Sequence, residues 1–230
     1  MVNGKCDNMK PNFIICGTQK GGTTPVMRML MQHPDVFMHD GEIDYFSVHW
    51  WRTPDWYETK FLPAQAIGEK SPSYMCIQST AKRIYKYNPN MKLIFFLRDP
   101  IDRAYSHWSM NKRKGKEGRA FHTCITSKEK INYWQSHAYI SRGFYDEQLE
   151  IYRKYFAGKM LLIKTEWMYD NTQEAMNTIT DFIGVRNFKV SQVKYKTSNC
   201  QIDEKDRKML EEIYNEKSKN YMALKSWMQF

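Results

Sequence analysis

Short apolar runs alternate with amphipathic stretches along this chain. The β-rich runs Phe13–Cys16, Lys92–Leu97 and Lys159–Lys164, with a weaker one at Val36–Met38, predict strands. Between them, apolar residues recur at spacings of three and four over Ser79–Tyr87, Ile101–Lys112, Phe144–Phe156, Thr172–Ile183 and Asp203–Asn220, which predicts helices. A further helix is expected to open near Pro25, a residue suited to a first turn, with Thr24 as its cap. This alternation predicts an α/β fold whose central parallel β-sheet is flanked by helices on both faces. The aromatic-rich stretch Gly41–Pro63 has no clear period and reads equally as a pocket wall or as a loop packed on the core. The basic, glycine-broken run KRKGKEGR, Lys112–Arg119, reads as a loop. No repeat or linker divides the chain, so residues 1–230 are expected to form a single domain.

Composition narrows the class. At 230 residues with 42% hydrophobic and 15% aromatic content, the chain can bury a sizeable core and does not read as disordered. No apolar run approaches the roughly 18 residues of a membrane span. The opening MVNGKCDNMKPN is polar and lacks a signal-peptide core, so a cytoplasmic protein is expected, although a chain trimmed of such a segment would read the same. The five cysteines, Cys6, Cys16, Cys76, Cys124 and Cys200, show no CxxC spacing and point to neither a zinc site nor a disulfide framework. Cys16 and Cys76 read as small buried residues. The formal charge of +10 suits an anionic ligand, without separating nucleotide, nucleic acid, acidic glycan and membrane surface.

The chemistry is concentrated after the first predicted strand, in FIICGTQKGGTTPVMRML. A helix N-terminus there would present unsatisfied backbone amides at the positive end of its dipole. Gly21 and Gly22 would let the backbone curl around an oxyanion, Thr23 and Thr24 add hydroxyl donors, and Lys20 adds a full charge. The segment is nearly a Walker A loop, but its lysine precedes the glycine pair and threonine stands where that lysine should be. An NTPase is therefore disfavoured, and Asp99 beside Arg98 makes a weak Walker B partner. A second basic element, LRDPIDRAYSHW, follows the strand Lys92–Leu97. Arg98 at that strand's C-terminal end and Ser106 further along make a second phosphate site, with ion pairs inside RDPIDR as the competing account. Two anion sites on one sheet edge point to a nucleoside phosphorylated at both ends.

The chain resembles the sulfotransferases that use 3′-phosphoadenosine 5′-phosphosulfate (PAPS), particularly the heparan-sulfate glucosaminyl 3-O- and N-sulfotransferase type. The resemblance runs in order through FIICGTQKGGTT, HPDVFMHDGEIDYF, GEKSPSYM, KLIFFLRDPIDRAYSHW, RGFYDEQLEIYRKYF and LLIKTEWMYDNTQEAMNTITDFIGV, which together cover most of the chain. It implies a P-loop-like α/β fold, with Lys20 to Thr24 around the 5′-phosphosulfate and Arg98 and Ser106 on the 3′-phosphate. It further implies a sulfuryl transfer that needs no metal and leaves adenosine 3′,5′-bisphosphate (PAP). Lys20 would then face the oxygen that leaves with the nucleotide, Lys70 in GEKSP would be a second lysine near the reacting groups, and Glu42 in GEIDYF would be the general base. Lys196 and Thr197 in KYKTSNC match a nucleotide-binding loop in shortened form.

Beside that shortened loop, the pattern departs from the family at two further places. Asp44 stands where the glycan enzymes carry a histidine two positions after the glutamate, and Cys200 lacks a nearby partner, so their late disulfide is expected to be missing. The resemblance thus implies a glycan or small-molecule acceptor bearing a hydroxyl or amine, with no nucleic-acid partner and no membrane span. His39, His49 and His107 are competing bases. A P-loop nucleotide kinase and a basic nucleic-acid-binding module are the readings from other classes.

Overall fold

The run FIICG is buried at every position, so its side chains serve two faces at once. That pattern belongs to a central strand of a parallel sheet covered on both sides. The computed structural model describes residues 10–127, 137–191 and 201–218. Its strands are β1 (Phe13–Gly17), β2 (Val36–Met38), β3 (Ala66–Lys70), β4 (Lys92–Leu97) and β5 (Met160–Lys164). They form a five-stranded sheet in the order β2-β3-β1-β4-β5, and every pairing is parallel. The helices are α1 (Thr23–Leu30), α2 (Pro54–Glu58), α3 (Gln78–Tyr87), α4 (Pro100–Arg113), α5 (Phe121–Thr126), α6 (Tyr145–Phe156), α7 (Thr165–Asp170), α8 (Thr172–Ile183) and α9 (Glu204–Lys217).

Alternation along the strands assigns the two faces. Ile14, Cys16, Leu93, Phe95 and Leu97 pack with α3, α6 and the aromatics Tyr45, Phe46, Tyr57 and Phe61. Phe13, Ile15, Ile94 and Phe96 pack on the other side with α1, α7 and α8. A third cluster, Ile101, Ala104, Phe121, Cys124, Leu210 and Tyr214, joins α4, α5 and α9 beside the sheet.

The sequence pattern misses β3 because AIGEK carries a glycine and two charged residues. All five positions are nevertheless buried. Gly68 is required there, since a Cβ would lie 2.3 Å from the Phe13 ring of the neighbouring strand. Within the stretch read as irregular, α2 forms behind the cap of Thr53, whose side chain accepts from the Trp56 amide. Tyr45, Phe46 and Tyr57 from this stretch are buried, so it is chiefly a segment packed on the core. Thr24 is not the cap of α1. Gly22 occupies the N-cap at φ +85°, and Thr24 lies exposed inside the first turn.

Strand order places the ligand crevice. The chain leaves β1 toward the β2–β3 side and returns to add β4 and β5 on the other, so β1 and β4 flank a topological switch point. Ligands in open α/β sheets bind outside the carboxyl ends of such strands. Here those ends are Gly17 and Leu97, and the loops after them are the two basic elements picked out from the sequence.

Candidate active site

The loop after β1 is clamped rather than free. Gly21 lies so close to β4 that a Cβ would come 2.6 Å from the Phe96 carbonyl oxygen. Thr165, at the start of α7, donates its hydroxyl to the Gly21 carbonyl at 2.9 Å. An Arg98 guanidinium nitrogen approaches the Lys20 carbonyl at 3.4 Å. Lys20 itself is held at φ +72°, a left-handed conformation uncommon outside glycine and frequent where a loop is shaped by its task. Gly22 at the N-cap gives the first-turn amides of α1 no side-chain acceptor, which leaves that end of the helix suited to an anion.

The second loop is built on α4. Asp99 caps this helix, its carboxylate accepting from the amides of Ile101 at 2.9 Å and Asp102 at 3.0 Å. That role explains an acid beside Arg98 without a metal-binding strand. Asp102 pairs with Arg207 of α9 at 2.7 Å rather than serving only its own segment. The Arg98 carbonyl accepts from the Tyr145 hydroxyl at 2.9 Å, and the Asp99 amide donates to Glu166 at 3.1 Å. Ser106 is buried on α4, as are Arg103 and His107. Arg103 donates to the Tyr139 carbonyl, while its Nε and one terminal nitrogen have no hydrogen-bond acceptor among the described residues. Buried guanidinium donors left open beside an anion loop fit a phosphorylated ligand.

His107 reports how charge converges here. Burial, followed by the charges of Arg103, Arg142 and Lys20, pushes its imidazole down to about 2, so it stays neutral. Its ring packs edge-on against Tyr139, with centroids 4.9 Å apart. His39 packs edge-on to Phe61 and His49 lies against Trp56, and burial lowers His39 as well. These contacts account for all three histidines as packed side chains.

The β1–β3 register sets Lys70 opposite Ile15, at the carboxyl edge beside the first loop. The Lys70 ammonium donates to Glu42 Oε1 at 2.7 Å. The lysine side chain is 5% exposed and the glutamate 45%, so the pair joins the interior to the open face of the site. Asp44, in the histidine position of the glycan enzymes, sits at φ +51° and closes a turn, its carbonyl accepting from the Val48 amide at 2.9 Å. Its carboxylate accepts from Ser73 at 2.5 Å.

Arg142 is a residue the sequence reading left without a role. It is 6% exposed and donates to Gln19 Oε1 at 2.6 Å, tying the turn before α6 to the β1 loop. Burial lowers its pKa first, and Cys76 and the acids Asp44 and Glu42 oppose that shift, so Arg142 stands in the field of the segment after β2. Thr165 and Glu166 were also missed; their place at the carboxyl end of a parallel strand was the signal available. Lys196 and Thr197 lie outside the described residues, as does Cys200. Cys16, Cys76 and Cys124 are free and buried.

Comparison with known proteins identifies the family and the fold. The family model described as a sulfotransferase domain matches residues 10–229. The mouse heparan sulfate glucosamine 3-O-sulfotransferase 3B1 is 28% identical over 189 residues, 80% of this chain and 48% of that protein. The human heparan sulfate glucosamine 3-O-sulfotransferase 5 is 31% identical over 155 residues, 64% of this chain and 45% of that protein. The chain thus spans about half the length of these curated relatives. Among solved structures, a sulfotransferase from Alicyclobacillus acidocaldarius shares the fold with a TM-score of 0.83, covering 94% of this chain and 95% of its own at 24% identity. The mouse sulfotransferase SULT7A1 complexed with PAP gives a TM-score of 0.57 at 15% identity, covering 96% and 90%. With a family model matching almost its whole length and a sheet that is parallel throughout, the chain belongs to the sulfotransferase domain family.

Proposed function

We propose that this chain transfers a sulfuryl group from PAPS to a hydroxyl of a glycan acceptor, releasing PAP. The observation that carries the reading is the Glu42–Lys70 pair at the sheet edge that also bears the Lys20 loop. The donor supplies an activated sulfur–oxygen bond; the protein has to position two partners and answer the charge that develops. The loop from Lys20 to Thr24 holds the 5′ end, with Lys20 placed to stabilise charge on the departing phosphate. Arg98 and Ser106 hold the 3′-phosphate, and Lys196 and Thr197 are assigned to the nucleotide by the family pattern alone. Lys70 fixes one oxygen of Glu42, and the other is left to take the acceptor proton.

Glycan is favoured over small alcohols and phenols because the curated relatives are named for heparan sulfate glucosamine. The same comparison favours a hydroxyl over an amine. A kinase reading is disfavoured because Asp99 serves as a helix cap. A nucleic-acid module is disfavoured because the sequence carries no recognisable nucleic-acid reader motif. The deciding experiment offers labelled PAPS with a panel of glycans, phenols, alcohols, amines and tyrosine peptides, and identifies products by mass spectrometry. Label on a glycan hydroxyl supports the proposal; label confined to phenols or amines reassigns the acceptor, and no transfer to any class defeats it.

A further inference from the structure

Directly before Lys70 lies a carboxyl group that the proposed chemistry does not use. Glu69 is fully buried on β3, facing the aromatic cluster. Its Oε1 accepts from the hydroxyls of Tyr57 at 2.6 Å and Tyr74 at 2.9 Å. Its Oε2 accepts from Ser71 at 2.7 Å. A buried carboxyl is costly, and three hydroxyl donors are an unusual concentration around one side chain.

What those hydroxyls do with their lone pairs gives the arrangement a purpose. The Ser71 hydroxyl oxygen accepts from the Asp44 amide at 3.0 Å, and the Tyr74 oxygen accepts from the Phe46 amide at 3.2 Å. A hydroxyl has one hydrogen, and with that hydrogen directed to Glu69 its lone pairs are turned toward the loop. Two backbone amides of the segment carrying Glu42 are therefore held, each through one hydroxyl, by a single buried acid. The third donor, Tyr57, makes no such link. Its ring instead stacks on Tyr45 with centroids 4.4 Å apart.

We infer that Glu69 is a positioning residue for catalysis: through Ser71 and Tyr74 it fixes the loop that presents Glu42 to the acceptor. The inference rests on Glu42 being the general base. It assigns the two sides of GEKSPSY different duties, with Lys70 holding the base by its side chain and Glu69, Ser71 and Tyr74 holding it by its backbone. The resulting loop rigidity matters because a misplacement near 1 Å at a reacting group costs on the order of 10²-fold in rate.

The test measures kcat, PAPS KM and melting temperature for Ser71→Ala, Tyr74→Phe, Tyr57→Phe, Glu69→Gln and Glu42→Gln, using whichever acceptor the panel identifies. Ser71→Ala and Tyr74→Phe should each lower kcat about 10-fold or more with PAPS KM unchanged. Tyr57→Phe removes a donor from the same carboxyl but keeps the ring stacked on Tyr45 and breaks no amide link, so it should leave kcat near wild type. Glu69→Gln keeps an acceptor for Tyr74 and should retain more kcat than Ser71→Ala. The double variant Ser71→Ala/Glu42→Gln should be no slower than Glu42→Gln alone, because a residue acting through the base has nothing left to act on. If Ser71→Ala and Tyr74→Phe lose melting temperature but keep kcat while Glu42→Gln is inactive, the network is structural only and the inference falls. If Glu42→Gln itself keeps turnover, the assignment of the base has failed and takes the inference with it.

Discussion

Lys70 and Glu42 meet at 2.7 Å although one side chain is almost wholly buried and the other nearly half exposed. Such a pair is a poor source of stability. The buried ammonium loses most of its hydration, while its partner's charge is already shared with solvent. Its value lies in fixing the direction of Glu42. Lys70→Met should therefore keep or raise the melting temperature while turnover falls by about 10²-fold or more. A variant that loses much of its stability, or one that stays active, would show that Lys70 serves the fold.

The two anion loops predict a ligand with two phosphates. PAP should stabilise the protein more than AMP, since only PAP reaches both the Lys20 loop and the Arg98–Ser106 side. A ligand at 100 times its Kd adds about 2.7 kcal/mol to stability, readily seen as a melting shift. Ser106→Ala should shrink the PAP shift toward that of AMP. Equal shifts for both nucleotides would remove Arg98 and Ser106 from the binding site.

Much of this candidate site was legible in sequence because each of its two basic loops is a local pattern. GTQKGGTT and LRDPIDRAYS each follow a predicted strand, and both land at its carboxyl end as expected. What was hidden depends on contacts distant in the chain. Arg142 reaches Gln19 across 123 positions, and Thr165 reaches Gly21 across 144; no local pattern encodes either. β3 was hidden for a related reason. Gly68 makes room for Phe13 and Glu69 is satisfied by hydroxyls from α2 and the turn after β3, so its strand character depends on neighbours.

Lys20→Ala should leave the fold intact, because the carbonyls of Lys20 and Gly21 tie the loop to Arg98 and Thr165 through the backbone. Losing one pre-placed charge at a developing oxyanion typically costs about 10²–10³ in rate. Unchanged melting with a loss of that order places Lys20 in the chemistry. Turnover within a few-fold of wild type removes it.

The Glu69 carboxyl gives a pH signature in stability. Burial raises it from 4.5 to about 7, opposed by its hydrogen bonds from Tyr57, Ser71 and Tyr74 and reinforced by the charge of Asp44. Facing it from β1 is Cys16, whose thiol the Glu69 charge helps push up. The folded protein thus takes a proton more readily than the unfolded chain. Stability from this group is greatest below the ordinary carboxylate value, declines as pH rises toward 7, and is level above. A shift of that size corresponds to on the order of 3 kcal/mol. Urea midpoints at pH 5 and pH 8 should differ more for wild type than for Glu69→Gln. The same pH dependence in both proteins would assign it to other groups.

Glu42 is the residue on which the acceptor chemistry turns. It follows the turn after β2, and its loop is anchored at Asp44 and Phe46 while its side chain reaches the open face of the site. Glu42→Gln keeps shape and can still accept from Lys70 through its amide oxygen, but it can no longer take up the acceptor proton. Removing a general base typically costs about 10²–10⁴-fold. Turnover should fall within that range, and PAP should still raise the melting temperature as in wild type because the nucleotide contacts lie on other loops. The histidine alternative makes the opposite forecast. His39→Gln or His49→Gln would then abolish turnover while Glu42→Gln remained active. Their packing against Phe61 and Trp56 argues that both will instead lose stability before they lose chemistry. A Glu42→Gln protein that binds PAP but no longer transfers sulfate, beside histidine variants that still turn over, assigns the proton to the carboxylate held by Lys70.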